Sequence, residues 1–380
     1  MTNINYSTKT KSPEGSILIY IIMSIGVAMQ IGGANWDIVW HSSRNVETFL
    51  TPPHTLIYSG VALSISSIAY RLFSTLKEKI SKRFMKNIKG LSLPMSIKIS
   101  ILGAIMQLTA GPFDFWWHTK FGFDGLLSPP HTILAIGMLL VAIGSMSAIY
   151  KIYKTDPSSI VNKFFVMLSS GVVSMISVGV ILMFTLPFSK GQYFDFNPEP
   201  FTAIFGSIIL IPIVFSIILN IISQSSKIPF IFTGIVGIIM VIQSGATIVS
   251  NSYFTGILPF YLLNILPALT LDIVLIRYNR VKMYDLKIDL NPDRRYMIAS
   301  ILVSLFFIPL FFPWTADVFG GFFKPPTYIR TEVFLSEILF PIIIPIVIPI
   351  SLLSTFAGSY LVRKINKKNV DASIKKMSNF

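Results

Sequence analysis

Apolar runs of about 20 residues, the length a helix needs to cross a bilayer, recur along this chain. They centre near residues 16–34, 55–74, 95–113, 132–150, 164–187, 201–223, 228–249, 256–276, 296–313 and 333–361. This pattern predicts an all-α fold, a polytopic membrane helix bundle of about ten transmembrane helices. The last run is long enough to tilt strongly or to break at Pro341, Pro345 and Pro349, so the count carries a margin of about one.

Composition sharpens that reading. Apolar residues make up 53% of the chain and charged residues 13%, which excludes an ordinary soluble domain of this length. The formal charge of +14 follows the topology. Lys77 to Lys89 follow the second run, Lys151, Lys154 and Lys163 the fourth, Arg277 to Arg295 the eighth, and Arg363 to Lys376 the last. Basic connections therefore alternate with non-basic ones, the positive-inside pattern of a plasma-membrane protein with both termini in the cytoplasm. Orientation accounts for these cations, so no nucleic-acid partner is expected; the partners are the bilayer and, at the basic inner loops, anionic lipid headgroups. The polar N-terminus lacks a cleavage-type site, and the first apolar run reads as a retained helix. Cysteine is absent, which removes disulfides, thiolate metal sites and cysteine nucleophiles.

One polar cluster interrupts the apolar pattern, and it occurs twice. Residues 35–55 read NWDIVWHSSRNVETFLTPPHT, and residues 112–132 read PFDFWWHTKFGFDGLLSPPHT. At an offset of 77 the two segments superpose without a gap from Met29 to Gly60, matching Gln30 with Gln107, Asp37 with Asp114, His41 with His118, His54 with His131 and Gly60 with Gly137. The first four spans are thus expected to be an internal duplication of a helix hairpin, with residues 1–152 carrying the duplicated hairpins and 153–380 a six-helix region of unknown role. Both clusters fall on one side of the membrane, the extracytoplasmic face. TPPH and SPPH each place a hydroxyl cap before proline at the first helical positions, which is how a helix start is written. The neighbouring tryptophans fit an interfacial aromatic belt.

The residue types in the cluster are those that bind metal. Asp37 and His41 are four apart and share a helix face, while His54 begins the returning helix. Asp114, His118 and His131 repeat the arrangement, and the four histidines of the chain all fall in these two sets. One carboxylate and two imidazoles make a three-ligand site with open positions, suited to copper, zinc or ferrous iron; a purely structural tie between the loops is the competing explanation. Glu47 and Asp124 are candidates to orient the imidazoles, and Arg44 to offset the acids of its cluster. Met29 and Met106 read as packing residues.

With the Asp-x3-His-x12-His spacing, the loop Arg44 and the element made by Phe49, Thr51, Pro52, Pro53, His54 and Tyr58, the segment resembles the C subunit of particulate methane monooxygenase and ammonia monooxygenase. The resemblance covers residues 29–60 and, more weakly, 106–137. It implies that Asp37, His41 and His54 bind copper on the outer side of the membrane, and that the second set does likewise, with Asp114 standing where the family has an Asn. It also implies other membrane subunits, dioxygen chemistry and a small apolar substrate. The family's subunit is shorter, and nothing in this chain resembles its partner with a soluble copper domain, so oxidation of methane or ammonia is not implied. Copper is also favoured over zinc and iron by the affinity order for nitrogen and oxygen ligands.

The remaining spans contain no histidine. Their outer loops, with Asp195, Glu199, Asp317 and Glu332, read as covers over the site or as docking surfaces. Asp272, an acid inside an apolar run, marks function by default, although snorkelling or pairing with Arg277 is an equal alternative. The leading expectation is a copper-binding membrane protein, a monooxygenase-like oxidoreductase component, with catalytic residues unassigned. The alternatives are copper uptake or handling, against which the lack of a Met-rich or Cys-containing inward path argues, and a secondary transporter whose outer clusters are structural.

Overall fold

The structure is a computed structural model that describes residues 14–42, 50–83, 93–122, 127–184, 228–250 and 265–283, with scattered helical positions between 209 and 222 and between 341 and 360. Seven continuous helices are described: α1 (Ile17–Ser42), α2 (Pro52–Arg83), α3 (Met95–Phe121), α4 (Pro129–Thr155), α5 (Ile160–Met183), α6 (Ile231–Ser250) and α7 (Ile265–Met283). No strand occurs among the described residues. The first five helices are long and apolar enough to cross a membrane. The expected spans at 296–313 and most of those at 201–223 and 333–361 lie outside the described residues.

Lipid is the solvent these helices are written for. Phe73, Leu102, Ile105 and Val241 are more than half exposed, on helices whose opposite faces are buried. In water such a surface would drive association; facing acyl chains it needs no cover. The hydroxyls inside the helices are satisfied locally. Ser64 donates to the Gly60 carbonyl at 3.0 Å, Ser100 to Ser96 at 3.0 Å and Ser174 to Ser170 at 2.8 Å.

Because hydrocarbon surrounds the bundle, helix association rests on close packing, and small residues set how near two backbones come. α1 packs along α2 and α3 along α4, and α4 also lies against α1 and α5. Gly60 of α2 sits against the Gly26 carbonyl and the Gln30 side chain of α1. Gly137 of α4 meets the equivalent groups of α3: a Cβ there would stand 2.8 Å from the Gly103 carbonyl and 2.9 Å from Gln107 Cγ. The two hairpins thus make the same contacts at positions 77 residues apart. A hydrogen bond of 3.1 Å between Ser24 and Ser145 joins α1 to α4.

At the end away from the histidines, a buried carboxylate ties the helices together. Glu14, 2% exposed, precedes α1. Its carboxylate accepts from Ser96 on α3 at 2.5 Å and from the Lys151 ammonium on α4 at 2.7 Å, and the Tyr20 hydroxyl of α1 lies 3.2 Å away. Arg71 of α2 packs its guanidinium against Gly15, whose φ of +85° is left-handed backbone. Four helices are held in register by groups around one acid.

Two substitutions test this packing. Gly137→Val places methyls where the Gly103 carbonyl stands and is expected to destabilise the α3/α4 pair by about 1–3 kcal/mol. Glu14→Ala strips the acceptor from buried Ser96 and the counter-charge from Lys151, while Tyr20 keeps the residue's backbone carbonyl; the expected cost is about 1–3 kcal/mol. Thermal melts of the full chain in nanodiscs should show both losses, whereas Leu102→Ala on the lipid face should leave the midpoint nearly unchanged.

Candidate metal centre

The local sequence places each donor before tertiary structure brings them together. α3 stays helical through Phe121, so Asp114 and His118 lie one turn apart on one face. Ser128 is extended at φ −125° and ψ 158° and caps α4, with Pro129 and Pro130 in the first two helical positions. Prolines lack the N–H that a cap would receive, so the first donor is His131 itself, which reaches Ser128 Oγ at 3.3 Å. The cap therefore fixes the backbone of the residue whose imidazole enters the cluster. Thr51 receives the His54 N–H at 3.4 Å in the same way at the start of α2.

In the second cluster all three expected residues converge. Asp114 Oδ1 lies 3.4 Å from His118 Nε2 and 3.2 Å from His131 Nε2. One donor atom from each residue falls within 4.8 Å of the others, a group of side chains able to hold a metal ion. Geometry supports that use. In a tetrahedral site with bonds of about 2.0–2.1 Å, two ligand atoms stand about 3.3–3.4 Å apart. Both carboxylate-to-imidazole separations match that edge.

The hydrogen bonding of His118 adds a chemical argument. Its Nδ1 lies 3.1 Å from the Gly122 carbonyl, an acceptor, so Nδ1 carries the proton. In the neutral ring Nε2 then presents a lone pair toward the Asp114 carboxylate. Asp114 Oδ1 is buried, and no donor meets it with hydrogen-bond geometry. Lone pair and carboxylate repel unless positive charge lies between them, as a proton on the ring or as a bound cation. An imidazole anchored through its second nitrogen to a carbonyl is the usual support of a metal ligand. Gly122 ends α3 at φ +74° and ψ −166°, a positive-φ extended conformation that favours glycine.

The first cluster is described in part. His54 Nε2 lies 3.3 Å from Asp37 Oδ1, both side chains being about four-fifths buried. His41 lies on α1 one turn beyond Asp37, where its counterpart His118 lies on α3. The side chain of His41, and Arg44, Glu47 and Asp124 entirely, lie outside the described residues. Tyr58 stands beside His54 with ring centroids 6.0 Å apart.

Both clusters open onto one cavity of about 670 Å³. Asp37, His54, Asp114 and His131 all contribute to its wall, together with residues of α5 and α6. Its lining is mostly aliphatic, with polar groups from Asn35, Tyr58, Gln107, Ser174 and Gln243. The sequence pairs Gln30 with Gln107 but does not reveal that these amides are buried without a hydrogen-bond partner. Ser174 and Gln243 carried no sequence signal, because a lone polar residue in an apolar run resembles any other. The tryptophans divide: Trp116 is 48% exposed, as a belt residue is, whereas Trp117 is buried against Phe121.

Asp272 has a structural employment. Its carboxylate, 3% exposed, accepts from the Thr233 N–H at 2.8 Å, the Thr233 hydroxyl at 2.7 Å and the Phe232 N–H at 3.4 Å. An acid of α7 thereby caps the free N–H groups that begin α6. The Arg277 side chain lies outside the described residues.

Fold and site together define a helical, membrane-spanning protein with an Asp/His/His group suited to a metal ion. Comparison of the chain with protein-family models, with curated proteins and with solved structures finds no significant match in any of the three.

The His118 argument is open to a direct test. In histidine ¹⁵N spectra of the metal-free protein, His118 Nδ1 is expected to carry a proton held by the Gly122 carbonyl. Gly122→Ala, which forces a side chain into a positive-φ extended conformation at a cost of about 1–3 kcal/mol, should shift that signal. An unchanged spectrum would sever the link between the helix cap and the imidazole.

Proposed function

We propose that this chain is a copper-binding membrane protein with two Asp/His/His sites, Asp37, His41, His54 and Asp114, His118, His131, and that it serves as a component of a copper-dependent membrane oxidoreductase. The observation that carries the reading is the convergence of Asp114, His118 and His131 at coordination spacing. The second site rests on the contact of Asp37 with His54 and on the equivalent placement of His41. Copper is preferred because mixed imidazole and carboxylate sites bind it most tightly among divalent first-row ions. The similarity of the hairpin to copper monooxygenase C subunits points the same way.

Duplication of a hairpin is part of this proposal. Its support is the matched contacts of Gly60 with Gly26 and Gln30, and of Gly137 with Gly103 and Gln107. The reading includes about ten spans, both termini in the cytoplasm and the sites at the outer face of the plasma membrane, supported by the basic connections at the opposite helix ends. Further membrane subunits would contribute the electron path.

Copper bound at these positions supplies one-electron redox chemistry and open coordination positions for dioxygen. The chain's own residues do the rest. Asp114 lowers the net charge of the site and favours the higher oxidation state. His118, held by Gly122, is oriented before any ion arrives, and the aliphatic wall restricts water around the centre. The engagement of Asp272 in capping α6 removes the acid that most favoured a transport pathway.

Metal analysis of the nanodisc-reconstituted protein after copper loading decides the central point. About two coppers per chain are expected, with one lost in His118→Ala and a different one in His41→Ala. Asp114→Asn, which keeps the shape and removes the charge, should weaken its site by about 10–100-fold. Wild-type protein free of transition metal after loading would overturn the proposal and leave the cluster as a polar tie between helices.

A further inference from the structure

The cavity is walled by the same face of both hairpins. Among the described residues, eight of α1 and α2 line it, and in every case the residue 77 positions further on lines it too. Asp37 is matched by Asp114, His54 by His131, Ile57 by Leu134 and Val61 by Met138. The chamber thus lies between two like surfaces, and the positions where they depart from one another decide how its two halves differ.

Two of the eight pairs differ in polarity. Tyr58, one turn after His54, is matched by Ala135, and Asn35 by Pro112. A third pair differs in bulk: Ala34 is matched by Gly111, where an added Cβ would meet nothing within 4 Å. The first half therefore carries a phenol and an amide beside its carboxylate and imidazole, and the Tyr58 ring stands next to His54. At the same places the second half has a methyl, a proline ring and open space. One turn below the histidines Ile57 is buried, whereas its counterpart Leu134 is only partly so. Gln107 reaches the cavity through carbon alone, its amide atoms being buried, so Asp114 and His131 supply the polar side-chain atoms of α3 and α4 there. The second half is an aliphatic space with one carboxylate and one imidazole at its end.

We propose that the half of the cavity walled by α3 and α4 seats a medium-length alkyl chain without a polar head, that this chain meets the Asp114 and His131 side of the second cluster, and that the Tyr58 ring screens the first cluster from it. The two Asp/His/His groups are then unequal partners: one faces the ligand and the other stands behind a phenol. As a statement about which metal centre meets substrate, this rests on the metal-centre reading. Size suits such a ligand. The chamber holds about 670 Å³, within the range of about 300–1,000 Å³ usual for small-molecule pockets. His131 and Met138, seven residues apart on α4, both line it, which gives a depth of about 10 Å. A membrane lipid tail runs about 15 Å, half of a hydrocarbon core of about 30 Å, so the chamber fits a shorter, free chain.

The test uses the full chain in nanodiscs and a photoreactive octane carrying a mid-chain diazirine, with insertions located by mass spectrometry. Only label removed by excess n-octane is counted, which sets aside insertion from the bulk bilayer. The duplication supplies the control: Leu134 and Met138 should carry about tenfold more of this label than their counterparts Ile57 and Val61, because a bulky ring excludes the chain from the first half. Gly111→Leu fills the second half at a place where an added Cβ meets nothing, and should abolish the label with the fold intact. Tyr58→Ala removes the screen and should raise label on Ile57 to the level of Leu134. Equal labelling of the matched residues in the wild type, no competable label, label that survives Gly111→Leu, or Ile57 unchanged in folded Tyr58→Ala each overturns the proposal. So does competition by n-octylamine without competition by n-octane, which would mark a seat for a charged head, or equal labelling by a phospholipid with a diazirine in its tail. Copper content of the same samples separates the two readings. Label confined to the second half of a chain that binds no copper upholds the alkyl seat and overturns the metal centre, and copper binding with label shared equally by both halves does the reverse.

Discussion

A carboxylate withdrawn from water between helices must be met by positive charge or by several donors, since a buried unpaired anion costs several kcal/mol. The described part of this protein holds such acids at distinct places, and what surrounds each differs. Glu14 is met by Lys151 and two hydroxyls, and Asp272 by the N–H groups that open α6. Asp37 and Asp114 are met by imidazoles. The first two arrangements are complete within the chain and act as structural ties. The imidazole arrangement is of another kind, because an imidazole is neutral or charged according to what it binds, and its nitrogen is a good metal ligand.

The close packing of the hairpins makes that chemistry achievable. Glycine at the crossing points lets α3 and α4 approach until their backbones nearly touch. The end of α3 and the start of α4 then stand near enough for side chains from both to share one carboxylate. A bulkier crossing residue would spread the helices and enlarge the 3.2 Å separation between Asp114 and His131. Because lipid offers no hydrophobic drive between helices, this steric fit carries much of the association. The Glu14 cluster at the far end holds the same helices against sliding, so the two ends of the bundle are coupled through rigid rods.

The cavity follows from the same geometry. Helices that touch near their glycines diverge elsewhere, and the space between them is walled by α5 and α6 as well as by the paired hairpins. Aliphatic walls with a few convergent polar groups describe a ligand site in general. Here several of the polar groups are potential metal ligands.

Much of this was written in the sequence. Apolar run length announced helices and a membrane, because a lipid-facing helix must be apolar over its whole span. The offset of 77 picked out Asp114, His118 and His131 together, since donors one turn apart on a helix and a third at a capped helix start are local features. The Ser128 and Thr51 caps were legible for the same reason. Other features depend on neighbours distant in sequence, and only the tertiary structure decided them. Glu14 looked like a polar terminal residue until Ser96 and Lys151 enclosed it. Asp272 read equally as a functional acid or as one snorkelling or paired with Arg277, until the start of α6 was found against it. Trp117 matched its neighbour Trp116 in type but turned inward. The sequence by itself determined which residues can do chemistry and on which helices they ride. How near two helices approach, and what space they enclose, depends on contacts between segments far apart in the chain, which no local pattern encodes.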